Sequence, residues 1–560
     1  MTYKRGVEEE ERLLEVVLDE EKESSAQSQP SEETVTWRRL PHKKQLLLLS
    51  LCRLSTPLSN ACLLPYIYHL VKSILSDPDH PSAPQQIARL TGLLVASYPL
   101  GQVTTSILWG KLSDNYGRKP AILIGLMISI IANLAFGYSQ TIGMLMFWRI
   151  LAGMANGIVG VMRTMTAEIV KDKRHQTRAF LAPPVVFNSG RVAALAVGGC
   201  LADPVTNLPS LFGPTGLFNV SDNPDGVSWA LKFPYALPAI FNGVVLSVCL
   251  ISATLGLRET LVTKEKDWDF GIAAGNSIAR FLRENLLGIK RSDYTTVQEE
   301  DPEGLMVDVA VAESSSFASS TYSRRLRGSK PIPPPGMWTK HLLKTLLAFG
   351  LLPLHNSTFL HIFPVFLSMP GVTNIKYTSF YFVGGLGLSS PTVGLYLASF
   401  GICGILLQLF IYPRVQKRIG TLGAFRLSSA IFPIAYLFAP YLSLLSQDAT
   451  AKWPAMAAIL FSQVLARTMA FPSSVVLLTN AAPRKSVLGT VHGAGNTLSA
   501  LASAGGPVIG GLLLARGIDK GAVGTVWWFW LCTVSLLSLG WTFILDKEED
   551  GEEERGMTDA

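Results

Sequence analysis

Long apolar runs recur along this chain, and they constrain its fold more than any other feature. Each run is about 20 residues long or longer, which is the length that an α-helix needs to cross a bilayer. Hydrophobic residues make up 48% of the 560 residues, whereas charged residues make up only 16%. The runs fall into two sets of six: 45–70, 87–108, 120–138, 143–165, 179–201 and 235–257, then 341–367, 392–412, 422–445, 453–478, 486–514 and 523–545. The sequence therefore predicts an all-α membrane protein with twelve transmembrane helices in two six-helix halves.

Polar segments flank and separate these halves. Residues 1–42 are predicted to be a disordered acidic cytoplasmic tail, and residues 546–560 an acidic cytoplasmic tail. Residues 258–340 are charged and rich in Ser and Pro, so they are predicted to link the bundles formed by residues 43–257 and 341–545. An acidic dileucine pattern at residues 9–14 is either a sorting signal for an endosomal or vacuolar membrane or a chance leucine pair.

Basic residues are unevenly distributed between the predicted loops. Lys and Arg are frequent at 111–119, 171–178, 414–426 and 484–485, whereas the loops at the opposite end hold few. Because basic loops stay in the cytoplasm, both termini are predicted to be cytoplasmic. The same loops explain the formal net charge of +7 without nucleic-acid binding. A glycosylation sequon at Asn219 falls on the predicted outer side, in agreement with this orientation.

The turn between the second and third runs carries the most specific motif, WGKLSDNYGRKP at residues 109–120. This motif turn resembles the loop between helices two and three of the major facilitator superfamily, G-x-L-(A/S)-D-x-x-G-R-(K/R)-(K/P). It is most similar to the drug:proton antiporter branch, which includes fungal efflux proteins and plant zinc-induced facilitators. The string LRETL at 257–261 is similar to the L-x-E-T-L ending of helix six in that branch. The resemblance implies the major facilitator fold, with a substrate site near the midplane between the halves.

In that family the motif turn belongs to a cytoplasmic charge cluster that holds the bundle in one conformation. Paired charges at an interface suit such a two-state switch. The alternative for Lys119 is a solvated anchor. The resemblance implies a gating role for Gly110, Asp114, Gly117, Arg118, Lys119 and Glu168.

Arg149 is the clearest charge inside a predicted span. A charge at this depth costs about 2.5 kcal/mol or more, so it usually faces the interior and has a function. Its spacing to Gly153 and Gly157 places all three residues on one helix face, where glycines allow close packing. In the family this arginine is implicated in proton coupling or gating, and the alternative is an arginine that only holds the bundle together.

Other polar groups inside the runs are candidates for coupling or substrate contact. Arg191 either binds an anionic substrate or pairs with Glu168 or Asp203 near the helix ends. No carboxylate lies near the centre of any run, which weakens a proton-coupled mechanism, although histidines titrate near neutrality and can substitute. The remaining candidates are Arg53, Asn60, His355, His361, Arg467 and His492. Close helix packing is predicted for Gly506, Pro507, Gly510 and Gly511.

We predict a secondary transporter that moves a small organic solute by alternating access, with export as the leading direction and protons as an optional coupling ion. The alternatives are a uniporter or nutrient importer, and a non-transporting sensor on a transporter scaffold. An enzyme is not expected, because no cluster of nucleophile, base and oxyanion donors is visible. The six cysteines lack metal-ligand spacing, so we expect no metal site, no disulfide framework and no cofactor. The expected setting is a monomer in the vacuolar or plasma membrane, whose partners are the solute and the lipid bilayer.

Overall fold

The computed structural model describes residues 42–76, 83–170, 182–220, 222–261, 263–264, 269–285, 338–371, 380–483 and 488–558. Its described residues form helices and one isolated β-bridge, between Gly371 and Gly385. Most of the predicted first tail (residues 1–41) and most of the predicted linker (residues 286–337) lie outside the described residues.

The first half consists of long helices and short connecting ones. The first predicted span is divided into three segments, because prolines at 57 and 65 interrupt the regular hydrogen bonding of a helix. The helices are α1 (Lys43–Cys52), α2 (Ser55–Asn60), α3 (Ile67–Leu75), α4 (Pro84–Tyr116), α5 (Arg118–Gly137), α6 (Ile142–Ala155), α7 (Ile158–Ile169), α8 (Ala182–Leu201), α9 (Pro204–Asn207), α10 (Pro209–Phe212), α11 (Ser228–Lys232) and α12 (Ala236–Gly256).

An amphipathic helix, α13 (Phe270–Asn285), follows the first half and packs against the end of α12. The second half contains α14 (Lys340–Ser368), α15 (Ser390–Leu406), α16 (Tyr412–Phe438), α17 (Ala449–Asn480), α18 (Leu488–Asp519) and α19 (Thr533–Thr558). Short π-helical segments precede α16 and α19, at Leu407–Ile411 and Val526–Cys532, and a 3₁₀ segment, Ala439–Leu445, follows α16.

Eight helices in the described part of the chain are long and apolar enough to cross a membrane. Helical segments nevertheless occupy all twelve predicted runs. Four runs account for the difference. The first span is divided, the helix of the second run is not among the eight, the fifth contributes only a shorter apolar helix, Val185–Leu201, and the eighth and ninth form one helical stretch, Ser390–Leu445. That stretch bends at Gly420, where φ is 73°. The all-α membrane fold is confirmed, and the count of twelve spans stays a prediction.

Glycines bring the two halves together at their predicted outer ends. A Cβ atom on Gly92 of α4 would lie 3.0 Å from Gly511 Cα of α18 and 2.5 Å from the Pro507 carbonyl oxygen. A Cβ on Gly199 of α8 would lie 3.0 Å from Gly394 Cα of α15. These backbones approach so closely that only glycine fits.

The opposite face of α18 packs within the second half. A Cβ on Gly506 would lie 2.4 Å from the Leu354 carbonyl oxygen, and one on Gly510 would lie 2.5 Å from Thr358 Cγ2. The four predicted packing residues of this helix therefore lie at two different helix contacts. Beside them, stacked and edge-on aromatic rings fill the core of the second half: Phe359, Phe363, Phe366, Tyr436 and Trp527.

Candidate functional site

The motif turn places a buried arginine between two carboxylates. Gly117 adopts φ 110°, a conformation that favours glycine, and it separates α4 from α5. The Arg118 side chain is 9% exposed and donates a hydrogen bond to Asp114. Its guanidinium also donates to Ser113 Oγ at 2.9 Å and to Glu168 Oε1 at 3.1 Å. The structure thus brings together Asp114, Arg118 and Glu168, which were predicted from the sequence to form one cluster.

Glu259 is the member of this cluster that the sequence prediction missed. Its Oε1 accepts the backbone N–H of Arg118 at 2.8 Å, and its Oε2 accepts that of Lys119 at 2.9 Å. Oε1 also accepts the N–H groups of Thr260 at 2.9 Å and Leu261 at 3.0 Å. Glu259 therefore caps the first turn of α5 from the end of α12, where a negative charge meets the positive end of the helix dipole. The acid of the LRETL string was the available signal.

The structure does not support the alternative prediction that Lys119 is a solvated anchor. It is 5% exposed, and its Nζ donates to the Thr254 carbonyl oxygen at 2.9 Å and to Asp269 Oδ2 at 2.5 Å. Partial burial on its own raises the pKa of the Asp269 carboxyl. The hydrogen bond from Lys119, the backbone N–H groups of Ile272 and Gly271, and the lysine charge together outweigh burial and lower that pKa.

Of the remaining gating candidates, Gly110 has open space around it, since a Cβ there would meet nothing within 4 Å. Its role stays a prediction from the resemblance. Asp114, Arg118, Glu168 and Glu259 are called the charge cluster below. All of its described partners belong to the first half or to the segment that follows α12.

Arg149 lies in the interior of the first half and is 3% exposed. Its Nη1 donates to the Ser59 carbonyl oxygen at 2.6 Å, and its Nη2 donates to Asn60 Oδ1 at 2.9 Å. The guanidinium carbon lies 5.0 Å from the centre of the Tyr98 ring. A cation over an aromatic face is stabilised by the ring quadrupole. Arg149 thus joins α6 to α2 and α4, while its Nε is buried without a hydrogen-bond partner among the described residues.

The two glycines that follow Arg149 permit α6 and α4 to touch. A Cβ on Gly153 would lie 1.9 Å from the Tyr98 carbonyl oxygen, and one on Gly157 would lie 2.2 Å from Trp109 Cδ1. Trp109 in turn donates its indole N–H to the Met154 carbonyl oxygen at 2.7 Å. The spacing of the arginine and the glycines therefore has the packing consequence that the sequence predicted.

Thr56 of α2 contacts the turn that separates α6 from α7. Its hydroxyl donates to Asn156 Oδ1 at 2.6 Å, in the turn between α6 and α7. Three residues earlier in the chain, Arg53 lies with its guanidinium carbon 5.4 Å from the centre of the Phe187 ring of α8. Its Nη1 is buried without a hydrogen-bond partner among the residues that the structure describes.

The three candidate histidines each have a polar neighbour. The contacts are His355 Nδ1 to Tyr436 Oη at 2.9 Å, His361 Nδ1 to the Ser357 carbonyl oxygen at 2.6 Å, and His492 Nε2 to Thr479 Oγ1 at 3.2 Å. A carbonyl oxygen can only accept, so Nδ1 of His361 carries the hydrogen and Nε2 of the neutral ring is an acceptor. His361 is also within electrostatic range of Arg149 and Arg191.

Arg191 of α8 and Arg467 of α17 belong to different halves and lie within electrostatic range of each other. Both are partly exposed, and Arg467 stacks 5.7 Å from the ring centre of Phe471. Arg191 forms no ion pair with Glu168 or Asp203 in the described residues, which excludes that alternative for this conformation. Beside them, Asn188 Nδ2 donates to Gln408 Oε1 at 3.3 Å across the boundary between the halves.

Comparison with known proteins places this geometry in a family. Residues 49–387 match the family model of the Major Facilitator Superfamily. The chain is 31% identical to the major facilitator superfamily multidrug transporter mfsB of Aspergillus fumigatus, over 92% of this chain and 86% of that protein. It is 25% identical to the protein Zinc Induced Facilitator 1 of Arabidopsis thaliana, over 82% of each chain.

A solved structure supports the same fold. The chain resembles the crystal structure of the human organic anion transporter MFSD10 (TETRAN), with a TM-score of 0.53 and 17% identity, covering 90% of this chain and 99% of that one. Likeness at that identity shows the fold alone. The chain belongs to the major facilitator superfamily and is an integral membrane protein that carries out secondary transport, not an enzyme.

Proposed function

We propose that this protein exports a small organic solute by alternating access. The similarity to a multidrug transporter over 92% of the chain is the observation that supports transport of a small organic solute. The proposed solute path runs between the halves, where partly exposed polar side chains face the interior from helices of both halves: Arg53, Asn60, Arg191, His361, Gln408 and Arg467. Partly exposed polar groups deep in a helical bundle are typical of a water-accessible site.

We infer that, in the conformation described here, the charge cluster does not hold the two halves together. The charge cluster has all its described partners in the first half or in the segment after it, so nothing in the described cluster clamps the two halves at the motif turn. At the predicted outer end, by contrast, Gly92 meets Gly511 and Gly199 meets Gly394. We propose that transport alternates between this outer closure and a closure at the charge cluster.

Coupling to protons and uniport are the two candidate mechanisms. The carboxylates Asp114, Glu168, Asp448 and Asp519 lie at or near helix ends, and this position supports uniport as the alternative to proton-coupled export. Antiport against protons would require another titratable group on the solute path. His361 is the candidate for that role, since Nε2 of its neutral ring is an acceptor that can take up a proton.

The charge asymmetry of the loops supports an orientation in which both termini are cytoplasmic. We also propose that the protein is a monomer and that its two helical bundles are joined by a linker at residues 258–340. A cysteine-reactive, membrane-impermeant label on single cysteines placed in the motif turn and at Asn219 tests the orientation. Labelling of the motif turn from outside intact cells would refute it.

Transport is tested by flux into sealed vesicles that contain the purified full chain. Lipophilic cations, organic acids, amino acids and metal-chelating metabolites are each offered with and without an imposed pH gradient. Flux that follows the gradient supports antiport, and flux that is indifferent to it supports uniport. Arg149→Lys keeps the charge but cannot form both hydrogen bonds of the guanidinium group, so it should reduce flux. Arg280→Gln replaces an exposed arginine of α13 and should not reduce flux. If no solute of the panel is transported, the hypothesis that remains is a non-transporting sensor on a transporter scaffold.

A further inference from the structure

We propose that the interior of this protein binds an organic anion, held between Arg191 of the first half and Arg467 of the second. The inference deepens the proposed function and rests on it only in placing the solute path between the halves. It assigns the substrate class by the chemistry of its site: a small organic molecule that carries at least one oxyanion group, a carboxylate or a phosphate.

The first step is the sign of the interior charge. Arginines on segments that are far apart in the chain place guanidinium groups inside the bundle: Arg53, Arg149, Arg191 and Arg467. Among the described residues, none of them forms an ion pair with a carboxylate. Ionised side chains inside a membrane protein usually pair with one another or with backbone carbonyl groups, because an uncompensated charge is costly there. Within the described part of the chain, these interior cations are therefore not neutralised by carboxylates.

The second step is how far existing contacts satisfy these cations. Arg149 has two hydrogen bonds and an aromatic ring, so it is largely satisfied. Arg53 has a ring contact and a buried Nη1 that lacks a partner within the described chain. Arg467 has a ring contact, and Arg191 has another cation, Arg467, as its electrostatic neighbour. Donors therefore remain unused on several of these arginines, and Arg191 and Arg467 are the neighbouring pair that belongs to opposite halves.

The third step is the geometry of these two arginines. Arg191 and Arg467 lie within electrostatic range of each other, and like charges that are close together inside a bundle repel. An oxyanion placed between them turns that repulsion into two attractions, and a guanidinium offers paired donors that match the oxygens of a carboxylate or phosphate. The nearby amides Asn188 and Gln408 already bridge the same boundary at 3.3 Å and supply further polar contacts for the rest of the molecule.

His361 has two of these arginines as electrostatic neighbours. It is within electrostatic range of both Arg149 and Arg191, although these residues are on different helices. A ligand between Arg191 and Arg467 would therefore also experience the positive field of Arg149. Since the two main contacts come from opposite halves, binding of the anion would draw the halves together, which links substrate occupancy to the conformational change.

The test measures equilibrium binding to the purified full chain in lipid nanodiscs, with no gradient imposed. The probes are phthalate for carboxylates, phenyl phosphate for phosphate monoesters, benzamide as a neutral analogue and tetraphenylphosphonium as a lipophilic cation. The variants are Arg191→Gln and Arg467→Gln, with Arg191→Lys to keep the charge and Arg280→Gln as the matched control at an exposed arginine. Thermal unfolding of every variant checks that it is folded.

We expect at least one anionic probe to bind, and each glutamine variant to weaken that binding by about 10- to 100-fold, the range for loss of a charged hydrogen-bond partner. Arg191→Lys should weaken it less, and Arg280→Gln should leave it unchanged. Binding of phthalate or of phenyl phosphate tells which oxyanion the site takes. The proposal is overturned if neither anion binds at millimolar concentration, or if folded glutamine variants bind as the natural chain does.

The same variants separate this inference from the proposed function. If anions bind in an arginine-dependent way but no solute crosses the vesicle membrane, transport is refuted and the anion site stands. If a lipophilic cation is transported at an undiminished rate by Arg191→Gln and Arg467→Gln, transport stands and the anion site is refuted.

Discussion

Replacing Glu259 with alanine should loosen the connection between the motif turn and the end of α12. The carboxylate accepts four backbone N–H groups at 2.8–3.0 Å. Two of these N–H groups, from Arg118 and Lys119, open α5 and have no partner within that helix. The other two, from Thr260 and Leu261, are in an extended segment that is partly exposed, so water can replace the carboxylate there.

The expected loss follows from the two helical N–H groups. Loss of a helix N-cap costs about 0.5–2 kcal/mol, and loss of a negative charge at the positive end of the dipole adds about 0.3–1 kcal/mol. Since this cap contributes two hydrogen bonds and Glu259 is only partly exposed, we expect Glu259→Ala to lower the free energy of unfolding by about 2–3 kcal/mol. Glu259→Gln keeps one acceptor oxygen and should lose about half as much.

The assay is reversible unfolding of the purified chain by SDS in mixed micelles, followed by tryptophan fluorescence. Hydrogen exchange of the first turn of α5 provides a local readout, and its amides should exchange faster in Glu259→Ala. Arg258→Gln, an adjacent exposed position, is the control and should match the natural chain. A change of about 0.5 kcal/mol or less in Glu259→Ala, within the range of ordinary surface substitutions, would refute the capping argument.

Three further outcomes follow from the packing and the charges. Gly153→Ala should destabilise the chain by about 2 kcal/mol or more in the same unfolding assay, because its Cβ would lie 1.9 Å from a carbonyl oxygen, whereas Gly160→Ala, with open space, should be neutral or stabilise by about 0.5–1 kcal/mol. Gly511→Val should separate the predicted outer ends, seen as a longer distance between spin labels on the two halves, while Gly505→Val, which has nothing within 4 Å, should not change that distance. The ion pair of Asp269 with its lysine stabilises the attachment of α13 fully above about pH 4, the ordinary carboxyl value, and this contribution is lost as the pH falls through the lowered folded pKa. Hydrogen exchange of α13 should rise in that acidic range, and Asp269→Asn should remove the pH dependence; an unchanged pH profile in that variant would contradict the pairing.

Local pattern was enough to predict the main elements of this chain. A membrane-spanning helix requires a long apolar run, and a connection rich in lysine and arginine is readable without any contact, so the spans and the basic loops followed from composition along the chain. The face that carries Arg149, Gly153 and Gly157 followed from helical periodicity, which holds inside a single helix. The grouping of Asp114, Arg118 and Glu168 came from the resemblance of the motif turn to a known family.

Only the tertiary structure determined the contacts between residues that are far apart in the chain. Nothing near Lys119 in the sequence indicates that its charge is buried against Asp269, 150 residues later. The cap that Glu259 places on α5 spans 141 residues, and the Thr56–Asn156 hydrogen bond spans 100. Such pairs depend on which faces of separate helices meet and at what height. Apolar periodicity determines which face of a helix is buried, but it does not determine how two packed helices are positioned along their axes relative to each other. Only the packed bundle therefore determines these contacts.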